Sequence, residues 1–467
     1  MDWKKYADHI YIIHSNDSNK EYYNELTSVG ITDDIYSEIF YVLDNKFVDY
    51  KYFKDIAIVN AIKDAVENGY ESIIIIRDDV KFSDKIESEL NKCNDYLFSI
   101  LNGNDICEDI WLIKKPIIDY ICSLLHKNTE VSTYFEGDYE EISQFAETDW
   151  NKKIINNISN NFKVNRINLC KHKIDFVISY VNAADPEWQK SYSKTKNTGE
   201  TFNDVNRWRD FGFLEYNIIL LNKYLPWLNK IYIIVSQTSQ IPDWIKKYPN
   251  ISIILHEDYI PKKALPTFNS CTIESYLFNI TELSEYFIYA NDDMFCTNPL
   301  KPTDFFENGK VKTNIVDLGE INTNHLQICK NSFKLILHDF NNDFFNEVKL
   351  DKKYKRLTHI PHPMLKSTGL HVYSIFKKQI DKSISKFRTN NCVNQFIFVL
   401  YDYIQQNYIL YKIPATYCEL DNVEKIQKTF TSDKIKLTCI NDTKIDYINQ
   451  ELLIEHIKQI FENKINS

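Results

Sequence analysis

The triplet Asn291-Asp292-Asp293 follows directly on the apolar run Tyr286-Phe-Ile-Tyr-Ala290. Such a run reads as a buried strand, so two adjacent carboxylates stand at its C-terminal end, where they can hold a hard divalent cation and a phosphorylated ligand. Asn-Asp-Asp after a strand is also ordinary turn chemistry. The pair gains meaning from a second cluster, His359-Ile-Pro-His362-Pro-Met-Leu-Lys366, which brings the titratable and cationic groups that phosphate transfer needs. A free imidazole titrates near neutrality, which makes His362 the candidate general base, with His359 beside it or on a phosphate. A zinc pair is the alternative, but this spacing lacks the helical i, i+4 geometry of HExxH and is interrupted by Pro361.

Composition excludes several classes. The 467 residues are 44% hydrophobic and 26% charged, a globular balance with length for two or three cores. Only nine glycines occur and no two stand one residue apart, which removes both GxGxxG and the GxxxxGK[ST] phosphate loop. Bound phosphates must then be held by metal, Arg, Lys or His. Ten cysteines are scattered without a CxxC pair, so they read as reduced cytosolic thiols. Net charge is -10: residues 1–170 hold 31 acidic and 18 basic groups, leaving 34 acidic and 37 basic for the rest. No basic face is evident, and nucleic acid is not expected as a partner. The longest aliphatic runs are strand-sized, which predicts a soluble, cytoplasmic chain and leaves peripheral association with the inner face of a membrane open.

The elements that must position these residues alternate between strand and helix. Ile10–His14, Ile39–Leu43 and Ile73–Ile76 read as strands, with a helix over Tyr52–Asn68 ended by Gly69. These make a small α/β domain over residues 1–150. The Asn-rich stretch 151–172 reads as a linker. A second α/β domain follows over 173–420, beginning with strand Ile174–Val181 and the loop Asn182-Ala-Ala-Asp185-Pro186. A helix is expected from about Trp208 to Leu225, then strands Ile231–Val235, Ile251–Leu255 and the one ending at Asn291. This alternation favours a mostly parallel sheet, with ligands beyond the strand C-termini. Helices are expected over Leu365–Ile380 and Val393–Asn407, with a helical extension over 421–467.

Four segments of the second domain carry a resemblance. They are Ile174-Asp-Phe-Val-Ile-Ser-Tyr-Val-Asn-Ala-Ala-Asp-Pro186; Asn206-Arg-Trp-Arg-Asp210; Leu265-Pro-Thr-Phe-Asn-Ser270 with Ile273-Glu-Ser275 and Phe287-Ile-Tyr-Ala-Asn-Asp-Asp293; and His359-Ile-Pro-His362 followed by Phe387-Arg388. In this order they resemble the signature regions of the Stealth family of sugar-1-phosphate transferases, over about residues 172–405. The resemblance implies transfer of a hexose- or hexosamine-1-phosphate from a UDP-sugar to an oligosaccharide or polysaccharide hydroxyl, with release of UMP, in capsule or exopolysaccharide synthesis. It also implies Mg2+ or Mn2+ on Asp292 and Asp293. Arg207, Arg388 and Lys366 become candidate phosphate ligands, with Arg388 and Asp293 counted with the histidines as catalytic. Asp175, Asn182 and Asp185 would line the donor pocket, and Asp210, Asn269 and Glu274 would orient sugar hydroxyls or other site groups.

The match has departures: Ala183 stands where a glycine is usual, Cys392 where an acid is expected four positions after Arg388, and Glu215 where an arginine is usual. Two rivals therefore stay open, a glycosyltransferase that releases UDP and a nucleotide-sugar-binding subunit with drifted catalytic groups. In the first domain, Ser72-Ile-Ile-Ile-Ile-Arg-Asp-Asp-Val80 resembles the acidic-pair stretch of family 25-like glycosyltransferases, with Arg77 in place of the usual Glu. The expected fold is thus two tandem GT-A-like α/β units, the second with a mainly helical C-terminal extension.

Overall fold

The computed structural model describes residues 3–14, 26–29, 31, 35–40, 53–77, 80–82, 90–91, 98–102, 111–118, 121, 164–196, 208–337, 353–405, 407–444 and 446–467. The chain divides into two compact units, one over 1–173 with 307–309 and the other over 174–306 and 310–467.

The first unit is built on a seven-stranded sheet. Strand His9–His14 runs parallel to Tyr36–Phe40 on one side and to Ser72–Arg77 on the other. Ile73 to Ile76 are all buried, which is why that run of four aliphatic residues does not alternate in polarity. Helix Phe53–Glu67 stops at Gly69, whose φ of +71° is the left-handed conformation that ends helices. Residues 164–172, read from sequence as linker, instead form a strand paired parallel with Phe98–Asn102 and antiparallel with Val80–Phe82. The acidic pair Asp78-Asp79 lies outside the described residues.

The second unit centres on a five-stranded sheet in the order 251–255, 231–235, 174–179, 286–291, 362–365. The first four strands are parallel and the last is antiparallel. Residues 231–235 are buried throughout, and so are all but the last residues of 174–179 and 286–291, matching their unbroken apolar sequence. The helix expected from Trp208 starts only at Leu214. Gly212, at φ +73°, turns the chain there, and its N–H donates to Asp210 Oδ1 at 2.8 Å.

Segment 421–467 is more than a helical extension. It contains strand Leu437–Asn441, which pairs antiparallel with Met294–Cys296 and parallel with Ala415–Glu419. Its terminal helix, Gln450–Asn466, places Phe461 against Phe213, Phe295 and Phe430, at ring-centroid distances of 5.1, 5.2 and 5.1 Å. Among the described residues, no helix is long and apolar enough to cross a membrane.

Candidate functional site

Strand pairing brings the separated motifs to one sheet edge. Strands 174–179 and 286–291 lie parallel with Ser179 opposite Asn291, so the loops that follow open side by side. The Val181 N–H donates to the Asp292 carboxylate, tying one loop to the other. Tyr180 donates through its hydroxyl to Asp210 Oδ2 at 2.7 Å, which brings a third acid within electrostatic reach of Asp292. Strand His362–Leu365 runs antiparallel with His362 opposite Tyr289, so the turn before it delivers His359 to the same edge.

The charges at this edge interact strongly. Burial, together with Asp293 and Asp210, pushes the Asp292 carboxyl well above the usual carboxylate range. Burial alone would lower the His359 imidazole, but Asp293 and then Glu274 outweigh it and hold His359 above its ordinary value. His359 Nε2 lies 3.4 Å from Asp293 Oδ2. Glu274 ends the short helix Ser270–Glu274 and is 3% exposed; burial lifts its carboxyl to about 7 although Arg388, Tyr289 and His359 oppose that shift. Tyr289 donates to Glu274 Oε1 at 3.3 Å and shares a 2.7 Å hydrogen bond with Ser179. The Arg388 guanidinium donates to Ser270 Oγ at the other end of the same helix.

One member of the site gave no sequence signal. Cys439, on strand Leu437–Asn441, directs its sulfur to Asp293 Oδ2 at 3.2 Å, and Ile440 N–H donates to the Asp293 carbonyl at 2.8 Å. Nothing in the scattered cysteine pattern marks it, since its partners lie 146 and 80 positions away.

Several expected site residues hold the scaffold instead. His362, expected as the general base, is 1% exposed and packs edge-on against the Phe396 ring at 5.4 Å. Burial, then the neighbouring His359, lowers it to about 3, so it stays neutral and enclosed. Lys366, expected on a phosphate, is buried and donates to the carbonyls of Thr281 and Leu283 at 2.9 and 3.1 Å. Asp175, expected in the donor pocket, is buried near the start of its strand, taking hydrogen bonds from Asn229, Lys230 N–H and Ser284 N–H. Asn269, also buried, caps helix Ser270–Glu274 and donates to Ser385 and Cys392.

Asn182 and Asp185 stay at the edge but are engaged with Gln240. The Asn182 N–H donates to Gln240 Oε1 at 2.7 Å, and Asp185 accepts from Gln240 Nε2 and Ser239 at 2.6 Å each. Asp185 also receives the Glu187 N–H at the start of helix Pro186–Lys196. Arg207 lies outside the described residues. Cys392, which replaces the expected acid, accepts hydrogen bonds from Asn269 Nδ2 and Thr389 N–H at 3.3 Å each. A hydrogen bond from Cys271, with these donors, outweighs burial and lowers the thiol to about 5.

Known proteins resemble this chain in sequence. Residues 207–314 match the family model for Stealth protein conserved region 2. The chain is 32% identical over 327 residues to a capsular polysaccharide phosphotransferase, WcwK, of Streptococcus pneumoniae, covering 63% of this chain and 97% of that protein. It is 33% identical over 324 residues to the capsular polysaccharide phosphotransferase LcbA of Neisseria meningitidis, with 63% and 83% covered. An exopolysaccharide phosphotransferase of Lactiplantibacillus plantarum is 29% identical over 323 residues, with 62% and 94% covered. Among solved structures, the galactosyltransferase LgtC aligns at a TM-score of 0.31 and 8% identity over 62% of this chain and 95% of that one. With relatives of this similarity aligned over nearly their whole length, and the acidic pair inside the matched region, the chain belongs to the Stealth family of polysaccharide phosphotransferases.

Proposed function

We propose that the protein transfers a hexose- or hexosamine-1-phosphate from a UDP-sugar to a sugar hydroxyl of a growing polysaccharide, forming a phosphodiester and releasing UMP. The observation that carries this reading is the gathering of Asp292, Asp293, Glu274, His359 and Arg388 at one strand edge, from segments scattered over more than a hundred residues. Family membership supports the reaction class.

In this reaction the acceptor oxygen bonds to the sugar-bearing phosphorus, the bond from that phosphorus to the bridging oxygen breaks, and UMP leaves with the electron pair. Phosphoryl transfer of this kind depends on positioning and on neutralising charge. Asp292 and Asp293 suit a divalent cation, Mg2+ or Mn2+ if only the carboxylates are counted. Asp293 Oδ1 is buried without a hydrogen-bond partner, and Asp292 is crowded by two further carboxylates. When bound, the cation would neutralise charge on the diphosphate. Arg388 adds a fixed positive charge beside it. With His362 sealed in the core, Glu274 is the general base: its carboxyl, near 7, is tuned to accept the hydroxyl proton at neutral pH.

The test incubates the protein with UDP-sugars, an acceptor glycan and divalent cation, and identifies the nucleotide product. UMP is expected, with Asp293→Asn reduced at least about 100-fold. Release of UDP would replace this reading with glycosyl transfer, and equal metal-independent background in wild type and variant would reduce it to a binding function.

A further inference from the structure

A cavity of about 440 Å3 is lined by Ile321, Asn322, Thr323, Asn324, Gln327 and Asn390. That volume falls within the range of about 300–1,000 Å3 that small-molecule sites occupy. Both of its walls run into the strand edge that gathers the charged residues. Helix Asn324–Leu337 begins at one wall, and its second residue, His325, lies with its ring centroid 6.4 Å from that of His359, which itself stands 3.4 Å from Asp293. Asn390, on the other wall, follows Arg388 by two positions.

The walls are braced before any ligand arrives. Gln327 Nε2 donates to Asn331 Oδ1 at 2.9 Å, and Asn331 Nδ2 donates to the carbonyls of Asn390 and Cys392 at 2.7 and 3.1 Å. Thr323 Oγ1 accepts the Leu326 N–H at 3.2 Å at the head of the helix. Asn331 thus ties the helix to the segment after Arg388, and walls held in this way lose little freedom when a ligand binds. Three amides are left over from this bracing: among the described residues, the side chains of Asn322, Asn324 and Asn390 make no hydrogen bond.

The chemistry of the lining selects the ligand class. Each free amide offers two N–H donors and a carbonyl acceptor, which complement sugar hydroxyls that both donate and accept. Ile321, 38% exposed, adds an apolar surface for the C–H face of a pyranose ring. The described residues of the lining include no Lys, Arg, His, Asp or Glu, whereas a nucleoside diphosphate calls for charge-assisted partners. We propose that this cavity receives a neutral hexose or N-acetylhexosamine residue of the acceptor glycan, with Asn322, Asn324 and Asn390 bonding its hydroxyls. The inference deepens the proposed reaction and rests on it only for the glycan's role as acceptor.

The test records saturation-transfer NMR of the full-length chain with the methyl β-glycosides of glucose, galactose, N-acetylglucosamine and N-acetylgalactosamine, with no donor present. Transfer to at least one glycoside is expected. Asn324→Trp and Asn390→Trp, which fill the cavity, should each weaken that binding at least about 10-fold, and Asn390→Ala, which removes one hydrogen-bonding amide, about 2- to 10-fold. UDP with Mg2+ should not displace the glycoside, and should bind the variants as it binds the wild type. Lack of transfer to all four glycosides, transfer that survives both tryptophan variants, or displacement by UDP overturns the proposal. Should Asn324→Trp fail to fold, Asn390→Trp decides, since Asn390 is exposed and is held through its backbone carbonyl. These readouts involve no turnover. Glycoside binding lost in Asn390→Trp, without UMP release by the wild type, would leave the sugar site standing and the proposed reaction refuted. UMP release with an acceptor KM unchanged in Asn390→Trp would do the reverse.

Discussion

At the residue scale, environment decides which of the chain's acids and imidazoles can exchange protons. Glu274, with its carboxyl near 7, must be ionised to accept a proton, so kcat/KM should rise through about pH 7 and level off above it. Glu274→Gln should lower kcat about 100- to 10,000-fold and remove that limb from the pH profile. His362 has the opposite character. Its folded value of about 3 lies below the ordinary value, so the unfolded chain binds the extra proton, and stability is lost as pH falls below about 6.5. Chemical denaturation between pH 6 and 4 should show that loss, at most about 1.4 kcal/mol per pH unit from this group, and His362→Met should flatten it.

At the element scale, the site depends on the close approach of helices to the sheet edge. Helix Lys366–Ser383 contains Gly369, where a Cβ would stand 1.8 Å from the Phe278 ring. Phe278 in turn packs edge-on against Phe398 of helix Phe396–Ile404 at 4.2 Å, so it has little room to yield. Gly369→Ala should therefore cost about 3 kcal/mol or more despite the higher helix propensity of alanine, read as a lower denaturation midpoint. The helix that carries Phe398 also sets Phe396 against His362. A histidine between apolar residues carries the same letter whether it faces a cleft or, as here, fills a place beside Phe396.

At the scale of the whole second unit, the last residues close the fold over the acidic pair. Arg209 donates from Nε and Nη2 to the two oxygens of Asp442 at 2.7 and 2.6 Å, joining positions 233 apart, and Tyr447 also donates to Asp442 at 2.6 Å. Both charged partners are largely buried, at 18% and 13% side-chain exposure. Asp442→Ala removes both carboxylate contacts of the guanidinium, which keeps its hydrogen bond to the Lys444 carbonyl, and should cost about 1.5 to 3 kcal/mol in a denaturant titration. It should also loosen strand Leu437–Asn441 and so the Cys439 sulfur beside Asp293.

The sequence by itself determined the α/β class, the strands at 174, 231, 251 and 286, and the placing of the acidic pair at a strand end. Each rests on a short-range cause: unbroken apolar runs, turn residues and a helix-ending glycine act within a few positions. The resemblance to the Stealth family was legible because its motifs are contiguous. What tertiary structure alone decided was which side chains gather beside Asp292 and Asp293. Lys366 and Asp175 were spent on buried backbone groups, His362 was sealed beside Phe396, and Cys439 was carried to Asp293 by a strand pairing. Burial and long-range register set those outcomes, and neither is written in the spacing of neighbouring residues.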